Sequence, residues 1–163
     1  MNVACSDNVQ QLPALSDDAV ILAFGNSLTH GTGARKSESY PSVLEQLIQR
    51  KVINAGAPGE LSSQGLERLP DALNKYKPDL LILCHAGNDI LRRKDLKKAE
   101  DNIRKMIMMA QGKNIAVILL GVPEPGIFLN SADFYKRIAE EMNVVFIDNI
   151  ITDVMSDAGL KSD

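Results

Sequence analysis

Three short stretches of the chain each pair a glycine with a small polar group. Residues 25–33 read Gly25-Asn26-Ser27-Leu28-Thr29-His30-Gly31-Thr32-Gly33, with one serine just inside the glycines. Residues 54–60 read Asn54-Ala55-Gly56-Ala57-Pro58-Gly59-Glu60, and residues 85–89 read His85-Ala86-Gly87-Asn88-Asp89. Attack on a carbonyl needs a nucleophile on one side and hydrogen-bond donors where the oxyanion forms. The Ser27 hydroxyl can be the nucleophile. The N–H of Ser27, the N–H of Gly59 and the side-chain amide of Asn88 can be the donors. Glycine allows a close approach because no Cβ stands in the way. The competing chemistry is phosphate binding at Gly31–Gly33. That loop lacks both the Lys-Ser/Thr end of a P-loop and the GxGxxG spacing. The G-x-S-x-G elbow of the α/β-hydrolases is absent as well.

These stretches matter only if the fold brings them together. Five apolar runs, at 19–24, 52–54, 80–84, 116–120 and 144–147, are expected as buried strands. Helical patterns lie between them. Ser39 is placed to cap a helix with Pro41 in its first turn, and Val43, Leu44, Leu47 and Ile48 form its apolar face. Leu66, Leu69 and Leu73 mark a second helix that Pro70 limits or kinks. Leu96, Ala99, Ile103, Met106, Ile107 and Ala110 mark a third, with Gly112 as its stop, and Phe134, Ile138 and Met142 a fourth. Strand–helix alternation implies a parallel sheet covered on both faces. The expected fold is a three-layer α/β/α sandwich with a flavodoxin-like five-stranded sheet in the order 2-1-3-4-5. In that order the crevice lies beyond the carboxyl ends of strands one, two and three, where the three stretches sit.

Length and composition narrow the function classes. The 163 residues suit one domain, with residues 1–17 as a flexible leader and 18–163 as the domain. A net charge of -3 without a basic block argues against nucleic acid as a partner. No apolar run is long enough for a membrane span. Cys84 lies in an apolar run, Cys5 in a polar leader, and neither is expected in a disulfide or with His30 or His85 in a metal site. No cofactor is expected. The run Val3-Ala4-Cys5-Ser6 resembles the end of a bacterial lipoprotein signal. That likeness would put a lipid anchor on Cys5 and the protein in the periplasm or cell envelope; the alternative is the cytoplasm.

Phe24-Gly25-Asn26-Ser27-Leu28, Gly59 after Asn54-Ala55-Gly56-Ala57-Pro58, and Gly87-Asn88-Asp89 match, in order and interval, three blocks of the GDSL or SGNH hydrolases. The chain resembles that family from about Ala19 to its last residue. It is most similar to the bacterial thioesterase I, lysophospholipase and arylesterase branch, whose look Gly65-Leu66-Glu67-Arg68-Leu69-Pro70 shares. The resemblance implies Ser27 as nucleophile, and Ser27 N–H, Gly59 N–H and Asn88 as the oxyanion hole. It also implies hydrolysis of an acyl ester or thioester through an acyl-enzyme.

Three departures stand out. Asn26 replaces the Asp before the serine, and Ala86 replaces a glycine of the third block. The third concerns the Asp-x-x-His block, which supplies the base and its orienting carboxylate. Asp163 falls where that Asp belongs, and the sequence stops there, before the histidine and the closing helix of the family domain. The expectation is a truncated chain, inactive as it stands and with apolar sheet surface exposed. A premature stop or a segment supplied by a partner chain are the alternatives. Asp157 is a second acidic candidate at the wrong spacing. His30 and His85 are weighed as substitute bases, and Asp89 and Asp148 are read as turn or capping residues. The apolar loop 121–129 could line an acyl groove. Two other functions stay open: a catalytically silent acyl-binding or envelope interaction protein, and a flavodoxin-like nucleotide binder.

Overall fold

The computed structural model describes residues 11–124, 131–148 and 150. Five parallel strands form one sheet in the order β2-β1-β3-β4-β5. They are β1 (Val20–Gly25), β2 (Lys51–Gly56), β3 (Leu80–Cys84), β4 (Ala116–Leu120) and β5 (Val145–Ile147). The helices are α1 (Ser27–His30), α2 (Tyr40–Ile48), α3 (Ser62–Tyr76), α4 (Gly87–Leu91), α5 (Leu96–Gln111) and α6 (Asp133–Met142), with a 3-10 turn at Lys36–Glu38. The sheet order is the one expected, and helices cover both faces. β1, β3 and β4 are the interior strands and are buried almost throughout, as parallel strands between two helical layers should be.

The register sets up the site. Gly25 at the end of β1 pairs with Gly56 of β2 on one side and with Cys84 of β3 on the other. The three strands therefore end level, and the next residues of each chain segment emerge side by side.

The two faces are finished differently. α3, α5 and α6 pack over one of them, burying Leu69, Leu73, Ile103, Met106, Ile107 and Ile138. α2 packs on the other, close to β2. There the expected helix face is only half used: Val43 is 39% and Leu47 76% exposed. With Tyr40, Leu44 and Ile48 they border an apolar groove of about 440 Å³ over Ile21, Ile82 and Ile118.

Local details also depart from expectation. Ser39 stands at the N-cap of α2, but its hydroxyl bonds the carbonyl of Lys36 and the hydroxyl of Ser42 instead of the helix N–H groups. α3 runs unbroken through Pro70. α1 and α4 are too short for any periodicity to announce them. Among the described residues, no helix is long and apolar enough to cross a membrane.

Candidate active site

Ser27 is the first residue of α1, directly after β1, and is half-buried. Asn26 before it is 2% exposed, and its Oδ1 accepts the N–H of Leu28 at 3.2 Å. This is an N-cap, with the side chain turned into the helix it starts. The Asn that stands where the family pattern has Asp therefore keeps the turn with a neutral amide.

The second and third stretches close around this turn. Ala57 N–H donates to Gly25 O at 2.9 Å, tying the loop after β2 to the end of β1. Asn88 Nδ2 donates to the carbonyl of Glu60 at 2.9 Å, tying α4 to that same loop. A Cβ placed on Gly87 would lie 3.2 Å from Asn26 Nδ2, so α4 also abuts the serine turn. The main-chain bonds of the turns run from Ala57 N to Gly25 O, Glu60 N to Ala57 O and His30 N to Asn26 O. The N–H groups of Ser27 and Gly59 take part in none of these. Asn88 is 9% exposed and has a second amide N–H beyond the one spent on Glu60. Gly59 has φ +77°, a left-handed conformation that favours glycine.

Behind the Gly59 loop lies a polar cluster that the sequence did not announce. The Glu60 carboxylate accepts from Arg68 Nε at 2.8 Å and Nη2 at 2.7 Å, and from His85 Nε2 at 3.0 Å. Burial alone would raise the Glu60 carboxyl. The hydrogen bonds from Arg68 and His85, with the charge of Arg68, outweigh it and hold the group at about 2. Arg68 also donates to Ala55 O at 3.0 Å, and its guanidinium lies 4.1 Å from the centroid of the Phe24 ring.

His85 is fully buried. Ala86 N–H donates to its Nδ1 at 2.9 Å, which assigns the ring proton to Nε2, facing Glu60. Both ring nitrogens are thereby committed, so His85 is not the base for Ser27. His30 is exposed, with Nδ1 3.4 Å from Thr32 Oγ1. Asp89 does cap a helix, but not its own: its two oxygens accept the N–H and hydroxyl of Ser62, each at 2.8 Å, at the start of α3. Asp148 accepts the hydroxyl of Ser131. Cys84 is buried and free, its thiol pushed up to about 12 by burial. Among the described residues no cluster of His, Cys, Asp or Glu could hold a metal ion. Asp163, Asp157, Cys5 and most of the loop after β4 lie outside the described residues.

Residues 23–163 match the model of the GDSL-like lipase/acylhydrolase family. The chain belongs to that family. Among GDSL-like relatives, an arylesterase of Vibrio mimicus is 29% identical over 156 residues, spanning 86% of this chain and 78% of the relative. A thioesterase 1/protease 1/lysophospholipase L1 of Escherichia coli strain K12 is 28% identical over 141 residues, 82% of this chain and 68% of that one. The crystal structure of AlinE4, an SGNH-hydrolase family esterase, superposes with a TM-score of 0.81 at 29% identity, covering 92% of this chain and 86% of that one. The chemistry of this GDSL-like chain is accordingly hydrolysis of an ester bond. A nucleotide site at Gly31–Gly33 finds no support: Gly31 closes α1 as a left-handed C-cap, its N–H bonded to Ser27 O.

Proposed function

We propose that this chain is a serine esterase in which Ser27 Oγ attacks the carbonyl carbon of a small acyl ester or thioester. The Ser27 proton passes to a base, the C–O bond forms, and the alcohol or thiol leaves with a proton. Water then hydrolyses the acyl-enzyme and restores the serine. Ser27 N–H, Gly59 N–H and the Asn88 amide hold the oxyanion in between. The observation that carries this assignment is the stitching of the three loops. One half-buried serine stands at a helix start, Ala57 N–H bonds the loop after β2 to Gly25 O at the end of β1, and Asn88 of α4 bonds Glu60 O of that same loop.

Asp163 is proposed as the carboxylate that orients the base. His85 is committed to Glu60 and His30 turns to Thr32, so the base is not among the described residues. The names of the relatives support aryl esters, acyl thioesters and lysophospholipids as substrates to try. Placement at the cell envelope through a lipid on Cys5 is part of the same proposal, checked by incorporation of labelled palmitate into wild type and Cys5→Ser.

A fluorophosphonate probe tests the site. We expect it to label the wild-type chain on Ser27 and to leave Ser27→Ala unlabelled. The measurement is made on the 163-residue chain and on a chain carrying a histidine three positions after Asp163. Label on another residue, or none on either chain, would sink the assignment.

A further inference from the structure

We infer that Glu60 is a positioning residue for the oxyanion hole: its carboxylate, anchored on Arg68 and His85, fixes the far end of the Ala57–Glu60 turn, whose central Pro58–Gly59 peptide carries the Gly59 N–H, so that this N–H and the Asn88 amide face the reacting carbonyl. The inference rests on the esterase reading above and assigns the buried cluster that the proposed reaction leaves unused.

Gly59 is the weak point of the proposed hole. A glycine peptide in a loop has several orientations of similar energy, and only one points its N–H at the substrate. Preorganised donors accelerate a reaction because they need no reorientation when charge develops. Something must therefore hold this peptide. It is the central unit of the turn that Glu60 N–H closes on Ala57 O at 3.2 Å, and Glu60, the last residue of that turn, is gripped at both its carbonyl and its carboxylate. Its carbonyl oxygen takes a hydrogen bond from Asn88 Nδ2 at 2.9 Å. Its carboxylate takes three, at 2.8, 2.7 and 3.0 Å, from Arg68 and His85. The bond to Asn88 does double service. It orients the amide of Asn88 and pins Glu60, the residue that closes the turn around Gly59.

The anchors are themselves fixed. Arg68 is held by Ala55 O and lies over the Phe24 ring, so its fork cannot swing away. The His85 ring is fixed by Ala86 N–H, and the His85 carbonyl takes the Tyr135 hydroxyl at 2.6 Å. Gly65 makes room for the ring: a Cβ there would lie 2.3 Å from His85 Nε2. The chain from Tyr135 through His85 to Glu60 and Arg68 thus connects α6, β3 and α3 to one loop peptide. For stability alone, a part-buried ion pair is a poor choice, since its attraction is weakened by solvent while the cost of its desolvation remains. Geometry is what such a pair supplies better.

The test separates positioning from folding. Wild type, Glu60→Gln and Arg68→Lys, each as the 163-residue chain and as the chain carrying a histidine three positions after Asp163, are titrated with a fluorophosphonate to count reactive serines, and kcat and KM for p-nitrophenyl butyrate are then expressed per reactive site. Glu60→Gln keeps the size of the side chain but loses the charge that holds Arg68 and His85. The expected result is a per-site kcat about 10-fold or more below wild type, KM within about twofold, and an unchanged count of reactive sites. Arg68→Lys keeps the charge without the fork and should fall between the two. It serves in place of Glu60→Gln should that variant not fold. A merely structural role would lower the count of reactive sites and leave per-site kcat intact, which would overturn the inference. Were wild type to turn over while the variants matched its per-site kcat, the Glu60 role alone would fall. Were Ser27 to react neither in the 163-residue chain nor in the chain carrying a histidine three positions after Asp163, the esterase reading would fall and take this inference with it.

Discussion

The turn that carries Ser27 and the loop that carries Gly59 leave adjacent strands at the same level, yet they are secured by different means. The serine turn is held by short, local, neutral bonds: Asn26 caps the first turn of α1, and Ser27 O takes the N–H groups of Gly31 and Thr32. The Gly59 loop has local bonds too, Ala57 N–H to Gly25 O and Glu60 N–H to Ala57 O, but it is held in addition from a distance by the Glu60 charge, through Arg68 of α3 and His85 at the end of β3. The difference follows from what each must present. A nucleophile on a helix start inherits its direction from the helix. A glycine N–H inside a four-residue turn inherits only the direction of that turn, and more distant neighbours must hold the turn in place.

Substitutions on the two sides should therefore fail differently. The largest effect is expected from Ser27→Ala, which should remove ester hydrolysis by at least about 10³-fold while shifting stability by less than about 0.5 kcal/mol. Kinetics alongside thermal unfolding would show it. A variant that keeps activity would break the comparison at its first term. Next comes Gly65→Ala. The added methyl meets a fully buried ring with fixed partners, so a loss of roughly 1–3 kcal/mol is expected from denaturant unfolding. Asn26→Ala removes only a cap and should cost about 1 kcal/mol. If Asn26→Ala proved costlier than Gly65→Ala, the serine turn and not the Gly59 loop would be the more constrained part.

The smallest effect depends on pH. The Glu60 carboxyl is lower in the folded chain, at about 2, than its ordinary value of 4.5. The stability it contributes is therefore complete above about pH 4.5 and is lost as the pH falls toward about 2. Between pH 7 and 5 this group should leave stability flat. Below that, wild type should lose stability more steeply than Glu60→Gln. Equal slopes would mean that Glu60 is not held ionised.

The strands and the long helices were legible because burial leaves a mark on composition. Runs such as Leu80-Leu81-Ile82-Leu83 admit few other roles, and the sheet order followed from alternation and handedness. The three loops were legible because glycines beside Ser27, Gly59 and Asn88 recur at strand ends. The cluster behind them was not. Glu60 in a loop reads as a solvated charge, and only the fold shows that Arg68 comes back to it from the second turn of α3. His85 reads as a strand-end residue, because its burial depends on a missing side chain twenty positions earlier. Val43 and Leu47 erred the other way. Their spacing marks an apolar face, but how far a layer extends over that face is a matter of tertiary packing, which periodicity does not encode.

Gly65 and His85 also constrain how this chain can vary. The helix position and the strand-end position draw on one shared volume, since the space a Cβ would take at 65 is filled by the imidazole. Neither can be changed with full independence. A larger residue at 65 becomes tolerable only after position 85 shrinks, and the shrunken residue would no longer reach Glu60. The two positions should show strong epistasis: the penalty of Gly65→Ala should largely vanish in a background where His85 is already alanine, while Glu60 keeps only its bonds to Arg68 in both.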